Sequence, residues 1–564
     1  MKFSEMIYKR PDFESFKNEI RSKIDAFKNA KNAGEQINLI DEINVLRNHI
    51  DTQSELSCIR HSINNNDEFY NAENDYWDEY GPLYTNETVC LAKTILDSPY
   101  LDQLKKKYPE QFFTLLQDSI KSFNENVIED LQEENKLASR YNKIRATAQI
   151  DFDGKKCTLP ELSLYLENSD RQIRKKAATA IAAFYESHEA EIDEIYDALV
   201  KTRTRIAKKL GFKNFVELGY VRLHRSDYNS DDVANYRRQI LESVTPIANE
   251  IFEEQRKRLG YDDFYSYDLG FKFTSGMPKP QGSPEWIIEN GRKMYSELSP
   301  ETKDFFRFMA DNELLDLVSK KGKEGGGYTT YIPDYKAPFI FSNFVGNAGD
   351  IEVLTHEAGH AFQVYSSQNI TLPECIWPTY ESCEIHSMSM EFFTYPWMKN
   401  FFGPDTDKYL YNHLTGTVTF LPYGVLVDHF QHEVYGHPEM TAAERKVCWR
   451  KLEKMYMPWK KYDQGCELFE RGGWWYQQLH IFGDPFYYID YTLAQICAHQ
   501  FFGKMNRDFA SAWKDYLHLC KLGGTQSFLS LVKEANLKNP FSAGTVADAM
   551  LEVKKKIKEY SEKK

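Results

Sequence analysis

Apolar and polar residues alternate along most of this chain with the period of an α-helix. In DFESFKNEIRSKIDAF, residues 12–27, apolar side chains recur every three or four positions, which places them on one face of a helix. INLIDEINVLRNHI, residues 37–50, repeats the pattern. The first 150 or so residues are therefore predicted to be mostly amphipathic helices whose apolar faces form a core.

The helical pattern continues through residues 160–260. SDRQIRKKAATAIAAFYE begins with Ser169 and Asp170, which are typical helix-capping residues, and continues as a strong helix former. A second run, DALVKTRTRIAKKLGF, reaches Gly211, where we expect a helix to end. The basic residues of this region are expected to form a solvated helix face.

Two stretches interrupt the helical pattern. Residues 261–284 are rich in Gly, Pro, Tyr and Asp, which predicts a long irregular connection, and such loops are often functional or mobile. Within residues 320–350, Tyr328 to Ile332 and Pro338 to Phe344 have the composition of two short strands. The predicted fold is therefore mainly α-helical with a small β-sheet. We divide it into an N-terminal helical region, residues 1–160, and a second region, residues 161–564.

Composition limits the kinds of binding partner and the cellular compartment that we expect for this protein. The chain has 564 residues, a net charge of −14 and a pI of about 5.6, which argues against nucleic acid and anionic membranes as main partners. We expect no secretory signal, because the first residues lack an apolar core, and no membrane span. The nine cysteines form no C-x-x-C pair, so we expect free thiols and a cytoplasmic protein.

The clearest chemical motif is VLTHEAGHAFQVY, residues 353–365. On a helix, His356 and His360 lie on one face and can direct two imidazoles at one metal ion. Glu357 lies about 100° further round the helix, close enough to reach a water on that ion. This is the arrangement of zinc peptidases with an H-E-x-x-H motif. Gly359 costs about 1 kcal/mol against alanine in a helix, so we expect close packing there.

A third ligand is needed, and PTYESCEIHSMSMEFFTYPW, residues 378–397, offers candidates. Glu384 on a second, antiparallel helix would complete a His₂Glu site with one position open for water, as in catalytic zinc sites. Glu381, one turn earlier, is the alternative ligand. Glu391 is a candidate partner for an imidazole. Zinc suits this donor set best, although a similar site takes cobalt or manganese.

A second group of histidines occurs in DHFQHEVYGHP, residues 428–438. His429 and His432 are followed by Glu433, but His437 is off the face that the other two histidines share. We therefore predict an ordinary packed or surface helix here and no metal site.

Several segments together resemble the thimet oligopeptidase and oligoendopeptidase F family of zinc peptidases, and most closely its shorter bacterial branch that includes Pz-peptidase. HEAGHAFQ and the downstream EIHSMSME, residues 384–391, carry the resemblance. SDRQIRKKA, APFIFSNF (residues 337–344) and HIFGDPFYYIDYTLAQ (residues 480–495) are similar to further family segments.

The resemblance implies a two-lobed metallopeptidase around a deep channel, with one zinc ion per chain bound by His356, His360 and Glu384. It implies that Glu357 is the general base, and that His480, Tyr488 and Tyr491 contact the substrate and the oxyanion. Which of these three residues stabilises the oxyanion stays open. It also implies that an extended peptide lies along an edge strand near Phe339 to Phe344. Gln363 departs from the family, many members of which have a histidine there.

The predicted function is a zinc-dependent oligoendopeptidase that hydrolyses internal bonds of short unstructured peptides, using zinc-bound water and a glutamate base. Short peptides are the predicted partners. Two alternatives stay open: a terminal-specific metallo-exopeptidase, and a helical binding protein with a structural metal site. An intact glutamate beside both histidines argues against the latter, because a structural site needs no base.

Overall fold

The N-terminal helices lie where the apolar pattern predicts them. A computed structural model describes residues 1–563 of the chain. In the first helix Phe16, Ile20, Ile24 and Phe27 are buried, and Asp12 caps its start. The helices of this region are α1 (Phe13–Lys28), α2 (Ala33–Ile63), α3 (Glu68–Leu96), α4 (Leu101–Lys107), α5 (Glu110–Ser122) and α6 (Ile128–Ala146).

Helices α1 to α5 share a hydrophobic cluster of their own. Ile20, Ile43 and Phe112 lie in it, and Leu372 and Cys375 from much later in the chain join it. A second, larger cluster extends from Met6 to the C-terminal helices and contains most other buried residues. The N-terminal helices therefore have their own core but are also tied to the rest of the molecule.

A short hairpin follows α6 and was not predicted. Its strands β1 (Ile150–Phe152) and β2 (Lys155–Cys157) pair antiparallel. Asp153 and Gly154 join them with φ of 50° and 78°, and Asp-Gly is a preferred pair for such a turn. The sequence therefore contained a local signal for this hairpin.

The middle helices confirm the predicted start and stop signals. Asp170 caps α8 by accepting a hydrogen bond from the Gln172 amide, and Gly211 follows α9 with a φ of 86°. The helices are α7 (Leu159–Leu164), α8 (Arg171–Ser187), α9 (Glu189–Lys209), α10 (Phe215–Arg222), α11 (Ser230–Ser243), α12 (Thr245–Leu259), α13 (Pro284–Leu298) and α14 (Pro300–Asp311).

The expectation of a solvated basic face on α8 is wrong for two of its arginines. Arg174 is fully buried and its Nη2 lies 2.8 Å from Oδ1 of Asp268, itself fully buried in the loop before α13. Arg171 Nη2 lies 2.7 Å from the other oxygen. A buried carboxylate needs charged or polar partners. The irregular connection is therefore anchored to α8 at Asp268.

The central sheet has the strand order β3-β5-β4, with β3 (Leu315–Val318), β4 (Tyr328–Ile332) and β5 (Ala337–Phe344). β4 is antiparallel to β5 and β3 is parallel to it. The two strands predicted from sequence are confirmed, and β3 was missed. The expectation that Phe339 to Phe344 belong to an edge strand is wrong, because β5 is the middle strand: β4 pairs with Ala337 to Phe341 on one side, and β3 pairs with Ile340 to Phe344 on the other. The edge strands are β3 and β4.

The remaining helices carry the sequence motifs described above. The prediction of a mainly helical fold with small sheets is confirmed. Helix α15 packs on β5 and on α17, and α17 packs on α23. Within residues 1–563 no helix combines the length and apolar character needed to cross a membrane. These helices are α15 (Gly349–Ser367), α16 (Pro373–Ile376), α17 (Tyr380–Phe393), α18 (Lys399–Phe402), α19 (Thr406–Gly436), α20 (Ala442–Tyr456), α21 (Glu467–Glu470), α22 (Leu479–Gly483), α23 (Tyr488–Arg507), α24 (Phe509–Leu522), α25 (Phe528–Glu534) and α26 (Thr545–Ser561).

Candidate metal centre and active site

The close approach of α15 and α17 depends on Gly359. A Cβ atom there would lie 2.6 Å from Ser387 Cα and 2.7 Å from the His386 carbonyl oxygen, which is shorter than van der Waals contact allows. The expectation of close packing at this glycine is confirmed. Because the two helix backbones come together here, side chains one turn away on each helix can meet.

His356, His360 and Glu384 meet at this junction. Oε2 of Glu384 lies 3.2 Å from Nε2 of His356 and 3.3 Å from Nε2 of His360. The three candidate ligand atoms lie within 4.8 Å of one another. Glu384 is 2% exposed. Two imidazole nitrogens and one carboxylate oxygen at such separations fit a zinc ion with one position left open.

The alternative ligand, Glu381, lies one turn earlier on α17 and is close to Arg225 and Asp227. Its carboxylate is buried without a hydrogen-bond partner, and the nearby Arg225 guanidinium pairs with Asp490. It is not part of the His356, His360 and Glu384 group. Of the two alternatives from the sequence, the structure brings Glu384 to the histidines.

The charge of Glu384 is favoured by its surroundings. Burial raises the pKa of its carboxyl, but His360 and His356 outweigh burial and hold that pKa well below the ordinary range. Ser387 Oγ donates to Oε2 at 2.8 Å. The group is therefore an ionised carboxylate, the form that binds a metal ion.

Glu391 orients His356 from the opposite side. Its Oε1 lies 2.7 Å from His356 Nδ1, and its Oε2 lies 2.6 Å from His413 Nε2. Tyr395 Oη lies 2.6 Å from the other nitrogen of His413. With Nδ1 on this carboxylate, Nε2 of His356 faces Glu384 and the candidate metal position. The sequence analysis offered this role, a partner for an imidazole, for Glu391.

Glu357 has partners of its own on β4. Thr329 Oγ1 donates to Glu357 Oε2 at 2.7 Å and also lies 3.0 Å from the Glu357 carbonyl oxygen. The side chain is 6% exposed. Gln363, the departure from the family, points away from this site and bonds Ser367 and the Ile376 carbonyl oxygen.

His480, Tyr488 and Tyr491 lie together at the junction of α22 and α23. His480 Nε2 is 3.3 Å from the Tyr491 hydroxyl, and its Nδ1 is 2.8 Å from Gln478 Nε2. The rings of His480 and Tyr488 are 5.0 Å apart. Burial lowers the pKa of His480 although Asp484 and Glu384 oppose that shift, so the neutral imidazole is favoured.

Tyr487 also reaches the candidate metal centre, and the sequence analysis did not identify it. Its hydroxyl donates to Oε1 of Glu384. The residue is part of the FYYIDY segment, but spacing along the chain does not tell which neighbouring tyrosine faces a carboxylate on another helix.

A cavity of about 410 Å³ adjoins the centre. Its lining includes the carboxylates Glu352 and Glu391, the aromatic residues Phe420, Tyr488 and Tyr491, and His480. This mixture of aromatic and polar groups suits a side chain of a bound ligand.

The second histidine cluster is an ordinary part of α19, as predicted. His429 Nδ1 is 3.0 Å from the Tyr456 hydroxyl, and His432 Nε2 lies 3.5 Å from Asp428. These residues are not among the potential metal-binding groups of residues 1–563.

Comparison with known families agrees with this site. The profile of the Peptidase M3 N-terminal domain matches residues 3–123, and that of Peptidase family M3 matches residues 164–277 and 294–551. The chain belongs to peptidase family M3. The predicted membership in this metallopeptidase family is therefore confirmed.

This M3 member is similar to several described proteins. A structure of Pz peptidase A with an inhibitor is 51% identical, has a TM-score of 0.98 and is matched over 100% of both chains. An Enterococcus faecium oligoendopeptidase F shares the fold, at 15% identity and a TM-score of 0.63 over 98% of each chain.

Curated relatives of this M3 chain are more distant. An oligoendopeptidase F homologue of Borreliella burgdorferi is 25% identical over 67% of this chain and 65% of its own length. Oligopeptidase PepF of Bacillus subtilis is 20% identical over 69% of this chain and 57% of its own length. The chain thus spans less than two thirds of these two relatives.

Proposed function

We propose that this M3 peptidase is a zinc-dependent oligoendopeptidase that cleaves internal bonds of short unstructured peptides in the cytoplasm. The observation that carries the proposal is the meeting of His356, His360 and Glu384 with Glu357 beside them. All nine cysteines are free, which is consistent with a reducing compartment.

The proposed ligands are His356 Nε2, His360 Nε2 and Glu384 Oε2. When bound, zinc supplies a Lewis acid that polarises the scissile carbonyl and makes water more acidic. Glu391 holds His356 through Nδ1, and His413 holds Glu391 in turn. The protein groups thereby keep the imidazole in the orientation that ligation requires.

Glu357 is the proposed general base. It accepts a proton from the attacking water and then donates it to the leaving amine, so that the peptide C–N bond breaks. The hydrogen bond from Thr329 fixes one oxygen of this carboxylate. The hydroxyl groups of Tyr488 and Tyr491, with His480, are proposed donors to the tetrahedral oxyanion.

We place the substrate along β4 instead of β5. As an edge strand, β4 offers backbone groups to an extended peptide, and Thr329 on it contacts Glu357. Main-chain pairing fixes the peptide without regard to most of its side chains. The adjoining cavity then receives one side chain.

The test is turnover of a quenched fluorescent peptide before and after treatment with a chelator, with zinc then restored and products identified by mass. We expect cleavage at internal bonds, loss of activity without metal and recovery with zinc. Activity that persists without metal would contradict the zinc mechanism. Release of single residues from one end would favour the exopeptidase, and no turnover by zinc-loaded protein would favour a structural site.

The ligand set has its own test in the matched variants Glu384→Ala and Glu381→Ala. Loss of a ligand should empty the site after dialysis, because two histidines alone hold zinc weakly. Glu381→Ala should retain one zinc per chain by metal analysis. The reverse result would show that the third ligand is misassigned.

A further inference from the structure

The two oxygens of Glu384 have different partners. Oε2 faces both histidines and receives the Ser387 hydroxyl, whereas Oε1 receives the hydroxyl of Tyr487. A carboxylate can bind a metal through one oxygen or through both. Oε2 is therefore the oxygen that faces both imidazole nitrogens, and the charge-assisted hydrogen bond from Tyr487 holds Oε1 in its own position beside that hydroxyl.

We propose that Tyr487 is a positioning residue that restricts Glu384 to ligation through a single oxygen and thereby keeps a coordination position open for water and substrate. The inference rests on the proposed function, because an open position is needed only in a catalytic site. If both oxygens bound, the second would occupy space that the reaction requires.

The aromatic neighbours hold the Tyr487 ring in place. Its centroid lies 4.5 Å from that of Tyr380 and 4.9 Å from that of Tyr491. Tyr380 is the first residue of α17, the helix that carries Glu384, and Tyr491 lies in the first turn of α23. The ring is therefore enclosed by the same two helices that it connects, which limits the positions that its hydroxyl can adopt.

The backbone before Tyr487 is built for this placement. Phe486 has a φ of 70°, a conformation that is unfavourable for a bulky residue. Its amide donates to Gln431 Oε1 at 2.9 Å, and its carbonyl oxygen accepts from Arg225 Nη2 at 2.6 Å. A Cβ at Gly219 would lie 2.6 Å from the Phe486 ring. Strained residues persist where the surroundings determine them, commonly at functional sites.

The deciding experiment is Tyr487→Phe, which removes the hydroxyl and keeps the ring. Zinc affinity is measured by competition with a chromophoric chelator, and cobalt-loaded protein is examined by visible absorption. We expect zinc binding to weaken by roughly 10-fold or more. We also expect weaker cobalt bands, because a second carboxylate oxygen raises the coordination number and higher coordination absorbs less strongly.

Tyr488→Phe is the matched control, since it removes the same atom from the next residue, which does not contact Glu384. It should keep the zinc affinity and cobalt spectrum of the original protein. Equal unfolding temperatures of the metal-free proteins would show that Tyr487→Phe acts on the metal site and not on folding.

An unchanged cobalt spectrum in Tyr487→Phe overturns the proposal, whatever its zinc affinity. An equal spectral change in Tyr488→Phe overturns it as well. If the original protein binds zinc and cleaves peptides while Tyr487→Phe matches its spectrum, only this inference fails. If the original protein binds no zinc, the proposed function fails, and the inference fails with it.

Discussion

Glu357 differs from the histidines on the same helix in what it contacts. The histidines face Glu384, whereas Glu357 receives a hydrogen bond from Thr329 on β4. A carboxylate held beside the candidate metal position, but bonded to a strand, is placed to move a proton and not to complete the ligand set. Substitution of a proposed ligand is therefore expected to remove the metal, whereas substitution of Glu357 is expected to reduce turnover and leave the metal bound.

Glu357→Gln should therefore keep zinc and the fold but lose most activity. Glutamine preserves the shape and can still contact Thr329, but it cannot accept the proton from water. Loss of a general base is worth on the order of 10²–10⁴ in rate. Peptide turnover and zinc content are measured on the same sample. Near-normal turnover with full metal would refute the assignment of the base.

Glu381 is a buried carboxyl with a different task. It is 1% exposed and neither oxygen has a hydrogen-bond partner. Burial raises its pKa from 4.5 to about 7, although the charge of Arg225 opposes this shift. The folded protein thus holds this proton more tightly than the unfolded chain does.

A raised pKa in the folded state stabilises the protein below about pH 4.5, and this contribution is lost as pH rises through about 7. Glu381→Gln mimics the protonated group and should remove this dependence. We expect the free energies of unfolding of variant and original protein to be closest near pH 5 and to diverge toward pH 8, with the variant the more stable. Denaturant unfolding of both proteins between pH 5 and pH 8 measures these free energies. A difference in free energy of unfolding that stays constant with pH would contradict the raised pKa of Glu381.

Among the secondary-structure elements, the candidate metal centre depends on how closely α15 and α17 approach. Gly359 sets this distance, since any side chain would overlap the α17 backbone at Ser387. The contact couples helix packing to ligand geometry, because His356, His360 and Glu384 lie within two turns of it. Stability and metal binding should therefore respond together to a change at this glycine.

Gly359→Ala should destabilise the fold and weaken zinc binding. Alanine favours the helix by about 1 kcal/mol, but overpacking typically costs about 1–3 kcal/mol, and backbone atoms have little freedom to yield. Gly81→Ala in α3 is the control, because its Cβ would meet nothing within 4 Å. Unfolding with and without zinc is the measurement. If both variants gain stability equally, the packing argument is wrong.

Across the whole molecule, several side chains with exposed surface have pKa values that burial among the surrounding protein raises. Tyr380 is 48% exposed, although burial raises its pKa to about 12. On α2, Asp51 is exposed, yet burial raises its pKa to about 6, and that of its neighbour Glu55 to about 7. Glu55 accepts a hydrogen bond from Thr330 of β4. We propose that these residues line the substrate channel that the family resemblance implies, because burial among protein atoms raises the pKa of tyrosine and carboxyl groups.

Such an enclosed site should admit a flexible peptide and exclude a folded domain. Ordering a peptide costs roughly 1–2 kcal/mol of backbone freedom per residue, which strand pairing and side-chain pockets offset. We expect internal cleavage of unstructured peptides on the order of ten residues and no cleavage of stable proteins.

The measurement is a matched pair in which one target sequence is offered as a free peptide and as a loop inside a stable domain. Only the free peptide should be cut, because the loop is tethered at both ends. Equal cleavage of both would show that the site is open.

Local sequence patterns were sufficient to predict the helices and the chemical class of the site. Helical periodicity and the i,i+4 histidines are local, so neighbouring residues encode them without reference to the rest of the fold. The resemblance of several segments to known peptidases identified the family. Residue composition was sufficient to predict two of the three strands of the central sheet.

The features that depend on contacts between distant segments became visible only in the folded structure. It brought Glu384 and not Glu381 to the histidines, placed β5 in the middle of the sheet, and paired two arginines of α8 with Asp268. It also brought the Tyr487 hydroxyl to Glu384, the proposed third ligand, next to Phe486 with its positive φ. Residues one position or one turn apart have similar local signals, and only the packing of helices and the order of strands determine which of them meets a distant partner.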